Sequence, residues 1–189
     1  MPLVKEVLFS CYSNLAMATA ALRDGSAAFG DVHYKIRYKL YNGLMSGKMR
    51  VKSLFRDERE KLELPEVCAY CGSAENLSLD HLIARSKGGS DCGDNLVFCC
   101  RSCNSSKGAL DVIEWHFKRG TFPPLNVLRR YLKLAIRYSE ENGLMDQELA
   151  DVKSFPFTIP GVEDFPPLDR QRLSAAPMCQ ERDYIKKPG

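Results

Sequence analysis

The length and composition of the chain are those of a folded globular protein. It has 189 residues, of which 44% are hydrophobic and 27% charged, and no apolar run is long enough to span a bilayer. Glu6 stands beside Lys5 near the N-terminus, and Ser10, Ser13 and Asn14 interrupt the apolar stretch that follows, so we expect no secretory signal and a cytoplasmic protein. Eight cysteines are many for that compartment, where disulfides rarely persist. They indicate metal binding, redox chemistry or burial as small core residues.

The net charge of +3 is the remainder of larger blocks of opposite sign. Residues 1–61 carry a net charge of +5 and residues 111–139 carry +4, whereas residues 62–110 carry −2 and residues 140–189 carry −4. Within the first block, residues 32–56 contain seven basic side chains, no acid and three tyrosines. This mixture suits a polyanion with bases that can stack, and a solvated helix face would give the same pattern.

The first third of the chain is predicted to be helical. Apolar periodicity predicts a helix over residues 3–22. Residues 32–44 show the four-residue spacing of a helix and also the alternation of a strand, and their length and lysine content favour a helix. A further helix is predicted over about residues 51–62, ending before Pro65.

The central segment has a different character, with short stretches separated by Gly, Ser, Asn and Asp. Residues 77–83 are predicted to form a strand, residues 86–94 a glycine-containing loop, and residues 95–99 a second strand. A helix is predicted from Arg101 onward. This order predicts a strand–loop–strand–helix unit.

The last third is predicted to be helical and then extended. After Pro123 and Pro124, residues 125–138 predict an amphipathic helix with one apolar and one basic side. Six of the ten prolines follow residue 154 and indicate an extended tail or a wrapping arm. The chain is therefore divided into a helical basic N-terminal region (1–64), a central core (65–110), a helical C-terminal extension (111–153) and a proline-rich tail (154–189).

Two Cys-x-x-Cys pairs dominate the central core. Cys68 and Cys71 form the first pair, and Cys100 and Cys103 form the second. Two such turns supply four thiolates in a tetrahedron, which suits a structural zinc ion because no ligand position is left open. Cys99 offers an alternative register to Cys100. Three further cysteines have no partner at ligand spacing: Cys11, Cys92 and Cys179.

Between and after these pairs lie four residues that could carry chemistry. Asp80 and His81 are adjacent, Asn95 follows in the second predicted strand, and Asn104 comes directly after the last cysteine of the pair, with Lys107 three residues later. Together with the cysteine pairs, this arrangement over residues 68–108 resembles the HNH endonuclease family, which has a ββα-metal fold. The resemblance covers under a quarter of the chain.

The resemblance implies a role for each matching residue. His81 corresponds to the general base, and Asp80 and Asn104 correspond to ligands of a divalent metal such as Mg²⁺ or Mn²⁺. Asn95 corresponds to the residue that supports the loop or orients the histidine. Asn104 departs from the commonest family pattern, which has histidine there, but its amide still offers an oxygen to a hard cation. Because neighbouring side chains of a strand leave on opposite faces, a local bend or the metal geometry must bring Asp80 and His81 to one site.

These observations predict a mostly helical α+β protein: an HNH core with a four-cysteine zinc site, flanked by N- and C-terminal helices. Its predicted activity is metal-dependent hydrolysis of DNA, in bacterial anti-phage defence or restriction, with an ATPase or another defence protein as a possible partner. The alternatives are a zinc-dependent nucleic-acid-binding module without catalysis and a homing nuclease of a mobile element. His116 is predicted to be a packed structural histidine. The predicted nucleic-acid contacts are Lys35, Arg37, Lys39, Arg85, Lys107, Arg129, Arg130 and Lys133.

Overall fold

The computed structural model describes residues 1–55, 57–58, 66–153, 155–165 and 168. Within them the protein is mostly helical, with one two-stranded antiparallel sheet, which confirms the predicted α+β class. None of the described helices is both long enough and apolar enough to cross a membrane.

The N-terminal region forms two long helices that pack on each other. Helix α1 is Val4–Arg23 and helix α2 is Asp31–Met45, close to the predicted bounds. Both begin with a side chain that accepts from the backbone ahead of the helix, since Glu6 bonds the Leu3 N–H at 2.8 Å and His33 bonds the Gly30 N–H at 2.9 Å. Helix α1 also packs on the C-terminal helix, so it connects the two ends of the fold.

The central core is a hairpin followed by a short helix. Strand β1 is Leu77–His81, strand β2 is Leu96–Cys100, and they pair antiparallel with Leu79 opposite Phe98. Helix α3, Arg101–Lys107, packs against both strands. The strand–loop–strand–helix prediction is therefore confirmed, with β1 ending two residues earlier than predicted.

The C-terminal extension contributes two helices to the core. Helix α4 is Val112–Lys118 and helix α5 is Leu125–Glu141. Asp111 begins α4, where one carboxylate oxygen accepts from the Ile113 N–H at 2.8 Å and the Glu114 N–H at 3.2 Å. Its other oxygen accepts a hydrogen bond from the hydroxyl of Tyr131 on α5. The apolar side predicted for α5 is buried, at Leu128, Tyr131, Leu132 and Ala135.

The described part of the proline-rich tail packs back on these helices. The ring of Phe157 meets Tyr131 and Tyr138 with centroids 5.6 and 5.4 Å apart, and Phe165 meets Phe122 at 5.1 Å. The helix predicted over 51–62 is described only in part: Leu54, Phe55, Asp57 and Glu58 are helical, and the remainder after them lies outside the described residues.

The double role of Asp111 generates a prediction about stability. We expect Asp111→Ala to lower the free energy of unfolding by about 2–4 kcal/mol, because it removes an N-cap and leaves the buried Tyr131 hydroxyl without its acceptor. Urea unfolding followed by circular dichroism measures the loss. Asp146→Ala is the control, since it removes only the exposed pair with Lys5 and should cost less than about 1 kcal/mol. Similar losses for the two variants would contradict this role.

Candidate functional site

Four cysteines meet where the hairpin joins the turn before it. Cys68 and Cys71 lie in that turn, Cys100 ends β2 and Cys103 lies in the first turn of α3. Their sulfur atoms all lie within 4.8 Å of one another, and the Cys71 and Cys100 Sγ atoms are 3.7 Å apart. An edge of a tetrahedron with bonds of about 2.3 Å is about 3.8 Å long. The cluster therefore has the size of a four-sulfur metal site.

The electrostatics of these thiols favour a bound cation. Burial, followed by the hydrogen bond with Cys100, raises the pKa of Cys103, and burial also raises the pKa of Cys71. The hydrogen bond with Cys99 lowers the pKa of Cys68 to about 3. One thiolate thus forms easily and its neighbours resist ionisation beside it. A metal ion would stabilise the thiolate forms that burial disfavours, and the four sulfurs are already close enough to share one.

The structure also decides the register of the second pair. Cys100 joins the cluster, whereas Cys99 is fully buried and donates to the Cys100 carbonyl at 3.3 Å. Cys11 is buried in the core and Cys92 is exposed, both away from ligand spacing. Cys179 lies outside the described residues.

Asp80 faces inward from β1 and is held by two side chains. The Tyr70 hydroxyl donates to its Oδ2 at 2.6 Å, and the Lys107 ammonium lies 3.2 Å from Oδ1 and 3.1 Å from Oδ2. The same ammonium donates to the His81 carbonyl at 2.8 Å. The Lys107 side chain is 0% exposed, so it is an internal ion-pair partner rather than the surface phosphate contact predicted for it. Sequence reasoning missed Tyr70, which lies inside the first Cys-x-x-Cys turn.

His81 leaves the strand on the opposite side. Its Nε2 atom is 2.7 Å from Oδ1 of Asp91, and its side chain is 24% exposed. Arg85 reaches the same oxygen with its Nε at 3.4 Å. The side chains of Asp80 and His81 thus have separate partners and are not brought together by direct contact. Asp91 was not predicted as a site residue, and its position in a glycine-rich loop gave no spacing signal.

Asn95 closes the loop between the strands. Its amide oxygen accepts from the Ile83 N–H at 2.9 Å, and its amide nitrogen donates to the carbonyls of Ile83 and Ser90, both at 2.9 Å. Gly89 belongs to the same closure, because a Cβ there would lie 1.8 Å from the Ile83 oxygen. The loop that carries Asp91 is therefore tied to the end of β1, next to His81.

Asn104 lies on α3 beside the Asp80 side of β1. Its amide nitrogen is 3.2 Å from Oγ of Ser78, a residue that shares a strand face with Asp80. An open groove runs past this contact, and sequence reasoning did not include the other residues that line it. The groove is lined by Asn76, Leu77, Ser78, Arg101, Asn104 and Ser105.

Much of the basic side of α5 is buried, whereas the prediction was that its side chains contact nucleic acid. Arg130 and Lys133 are each 5% exposed. Arg130 bonds Glu58 at 3.0 Å and the Asp57 carbonyl at 2.6 Å, while Lys133 pairs with the Asp57 carboxylate. Arg129 pairs with the same carboxylate at 2.7 Å. These acidic residues lie much earlier in the sequence. They neutralise the basic side chains that were predicted to contact nucleic acid.

Arg130 also reaches the loop of the hairpin. Its Nη1 donates to the carbonyls of Gly93 at 3.1 Å and Leu96 at 3.2 Å, on both sides of Asn95. Arg137 bonds Asp94 in the same loop at 2.8 Å. Helix α5 is thus a support of the site rather than a separate basic surface.

The remaining predicted contacts lie on other surfaces. Arg85 is 70% exposed near His81. Lys35 and Lys39 are exposed on α2, whereas Arg37 is half-buried and bonds Asn14 of α1 at 2.5 Å. His116 is 4% exposed, and burial lowers its pKa to about 4, as expected of a packed structural histidine.

Comparison with known proteins identifies the central core. Residues 68–110 match the family model described as HNH endonuclease, so this segment is an HNH domain. A segment of the CRISPR-associated endonuclease Cas9 of Corynebacterium diphtheriae is 40% identical over 52 residues. That match covers 25% of this chain and 5% of the Corynebacterium protein.

The cysteine cluster generates a prediction about metal content. We expect about one metal ion per chain, and we expect Cys103→Ser to lose most of it because a tetrahedral site needs all four sulfurs. Cys92→Ser, which changes an exposed cysteine outside the cluster, should keep the full content. Mass spectrometry of the purified proteins measures the metal. Full metal content in Cys103→Ser would show that the cluster is not the binding site.

Proposed function

We propose that the protein is a metal-dependent endonuclease that hydrolyses DNA phosphodiester bonds. The observation that carries this proposal is the pairing of a partly exposed His81 with a carboxylate acceptor, inside an HNH domain whose loop is closed by Asn95. A histidine with a fixed acceptor on one nitrogen can offer the other nitrogen as a base.

In the proposed reaction His81 takes the proton from the attacking water. The Nε2–H of the neutral ring donates to Asp91, a tautomer we assign from the 2.7 Å contact with a carboxylate that can only accept. Nδ1 then carries the lone pair. Asp91 also stabilises the charged ring that forms when the proton arrives. Arg85, bonded to the same carboxylate, presents a cation to the phosphate beside His81.

The donors of a catalytic metal would be Asp80 and Asn104. A carboxylate and an amide oxygen suit a hard cation such as Mg²⁺ or Mn²⁺, and the contact of Asn104 with Ser78 uses its nitrogen and leaves its oxygen as a donor. A bound divalent ion would stabilise charge on the phosphate and the leaving oxygen. Asp80 already faces the Lys107 ammonium, so metal binding requires this carboxylate to be shared between the two cations.

The four-cysteine site is proposed to hold zinc in a structural role. Four sulfurs leave no position for water or substrate, so this ion would stabilise the turn, the end of β2 and the start of α3. In the proposed division of the chain, residues 65–110 form the nuclease core, and 1–64, 111–153 and 154–189 flank it in the sequence. Lys35, Lys39, Arg85 and Arg101 are the proposed DNA contacts; Arg129, Arg130, Lys133 and Lys107 are not, because their charges are paired internally.

A role in bacterial defence or restriction, in the cytoplasm, is the biological setting we favour. The similarity to a segment of a CRISPR-associated endonuclease supports it. Residues 140–169 contain eight acids and one lysine, a balance that suits a protein partner better than DNA. A homing nuclease of a mobile element is a less favoured setting, because no repeated DNA-reading motif accompanies the core.

His81 is the residue whose removal tests catalysis. We expect His81→Ala to slow cleavage of plasmid DNA with Mg²⁺ or Mn²⁺ by about 10²- to 10⁴-fold, the usual contribution of a general base. Metal in the cysteine site should be unchanged, and Cys92→Ser should cleave like the wild type. Equal cleavage by the wild type and His81→Ala would overturn the mechanism. Binding without cleavage by the wild type would favour the non-catalytic alternative.

Asp91 is predicted to position His81. We expect Asp91→Ala to lower the cleavage rate by about tenfold or more, because the ring loses the acceptor that selects its tautomer. Nitrogen chemical shifts of His81 should change from one tautomer to a mixture. Asp94→Ala, which alters a neighbouring loop acid bonded to Arg137, is the matched control and should leave those shifts unchanged. An unaltered tautomer in Asp91→Ala would contradict this role.

A further inference from the structure

One face of α2 is exposed although it carries large side chains. Tyr34 is 53% exposed and Tyr38 is 72% exposed, while the opposite face is buried at His33 and Leu44. The two tyrosines are four residues apart and are therefore neighbours on the helix surface, with about 6 Å of rise between them. Such a pair of rings in water is unusual for a helix that has only to pack on α1.

The first of these rings is held in a defined orientation. Tyr34 meets Phe29, which precedes the helix, with ring centroids 6.3 Å apart and planes at 67°. Phe29 also meets His33 at 6.4 Å, and His33 caps the helix through the Gly30 N–H. The start of α2 therefore fixes a ring whose face remains open to a ligand, which reduces the entropy lost on binding.

The charge around these rings is mostly positive, and Asp31, which begins α2 three residues before Tyr34, is the single acidic residue of that helix. Lys35 and Lys39 are exposed, and Lys35 lies three residues before Tyr38, which makes it a neighbour of that ring on the helix surface, while Lys39 lies one turn beyond Lys35. From Val32 to Arg56 the sequence contains no acidic residue, and Lys48, Arg50 and Lys52 are also exposed. The lysines argue against a protein partner, because the centres of protein interfaces are depleted in lysine. Aromatic rings beside exposed lysines match a ligand with both flat apolar faces and anionic groups.

We propose that the face of α2 formed by Tyr34, Lys35, Tyr38 and Lys39 binds unpaired DNA bases and their phosphates. The bases of a duplex stack on each other and are closed to such a face, whereas unpaired bases expose theirs to aromatic side chains. The proposal rests on the proposed nuclease function and adds the form of DNA that this protein binds: a strand, or a stretch of a duplex, whose bases are not paired. It also places this binding outside the HNH domain.

The test compares binding of a fluorescein-labelled oligothymidine strand with binding of a blunt duplex of the same length. The whole 189-residue chain, purified with the metal of its cysteine cluster, is used. No Mg²⁺ or Mn²⁺ is added, so that cleavage does not interfere with the binding measurement. We expect the wild type to prefer the single strand. We expect Y34L/Y38L to bind it at least about tenfold more weakly, and Y34F/Y38F, which keeps the rings, to bind it within about twofold of the wild type.

The charged residues give an independent measurement on the same probe. We expect K35Q/K39Q to reduce the slope of log affinity against log salt by about 1.4, the value for two phosphate contacts on a single strand. The control K118Q/K153Q removes two exposed lysines elsewhere and should leave the slope unchanged.

The proposal would be overturned if Y34L/Y38L bound the single strand as tightly as the wild type does. It would also be overturned if the wild type bound the single strand and the duplex equally well and no variant changed either affinity. A wild type that sediments as a dimer and a Y34L/Y38L variant that sediments as a monomer would assign the face to a second copy and also overturn it. Absence of cleavage with tyrosine-dependent binding would refute the proposed nuclease function alone. Cleavage with tyrosine-independent binding would refute this proposal alone.

Discussion

A buried guanidinium, that of Arg130, links the parts of the chain on which the site depends. The HNH hairpin has only two five-residue strands, which is too little structure to be stable alone in water. Arg130 donates to two carbonyls of the loop between those strands, and it bonds Glu58 and the Asp57 carbonyl from the N-terminal region. Its position on α5 is fixed by the apolar side of that helix. Arg130 therefore contacts the loop and the N-terminal segment at once, and Arg129, Lys133 and Arg137 of the same helix add ion pairs to each.

The hairpin is thus supported at both of its ends. At one end the four-cysteine cluster brings together the turn, β2 and α3, where the proposed zinc ion would join them, and at the other end Arg130 and Asn95 fix the loop. Between these supports, the Asp80–Lys107 pair joins β1 to the last turn of α3. Because both groups are buried, removing either one would leave an uncompensated charge, so the pair makes the position of Asp80 definite. The His81 side chain, one residue later, is 24% exposed and pairs with Asp91 at the surface, an accessibility that its proposed role as a base requires.

How much of this could be predicted from the sequence depends on how local each signal is. The cysteine pairs and the Asp80–His81 motif were predictable, because short fixed spacings place ligands in turns and at strand ends. The pairing of Arg130 with Glu58 was not, because 72 residues separate the two and no periodicity links them. The hydrophobic pattern of α5 located its basic side correctly but not its acidic partners. Asp91 was missed for a related reason: its approach to His81 depends on a loop closure by Asn95 that only the fold reveals.

The ion pairs between α5 and the acidic residues also change which of the basic blocks is available to a ligand. Two basic blocks of similar net charge are present in the sequence, but in the structure the block on α5 is neutralised from within by Asp57, Glu58 and Asp94. A phosphate could gain contacts there only by displacing carboxylates that are already close and partly desolvated, which is unfavourable. On α2 the lysines face solvent, so a phosphate that binds there would displace water rather than carboxylates. The proposed attraction of DNA therefore depends on the N-terminal block and on Arg85 and Arg101 near the hairpin, so the proposed DNA-binding surface and the helix that supports the site are different parts of the protein.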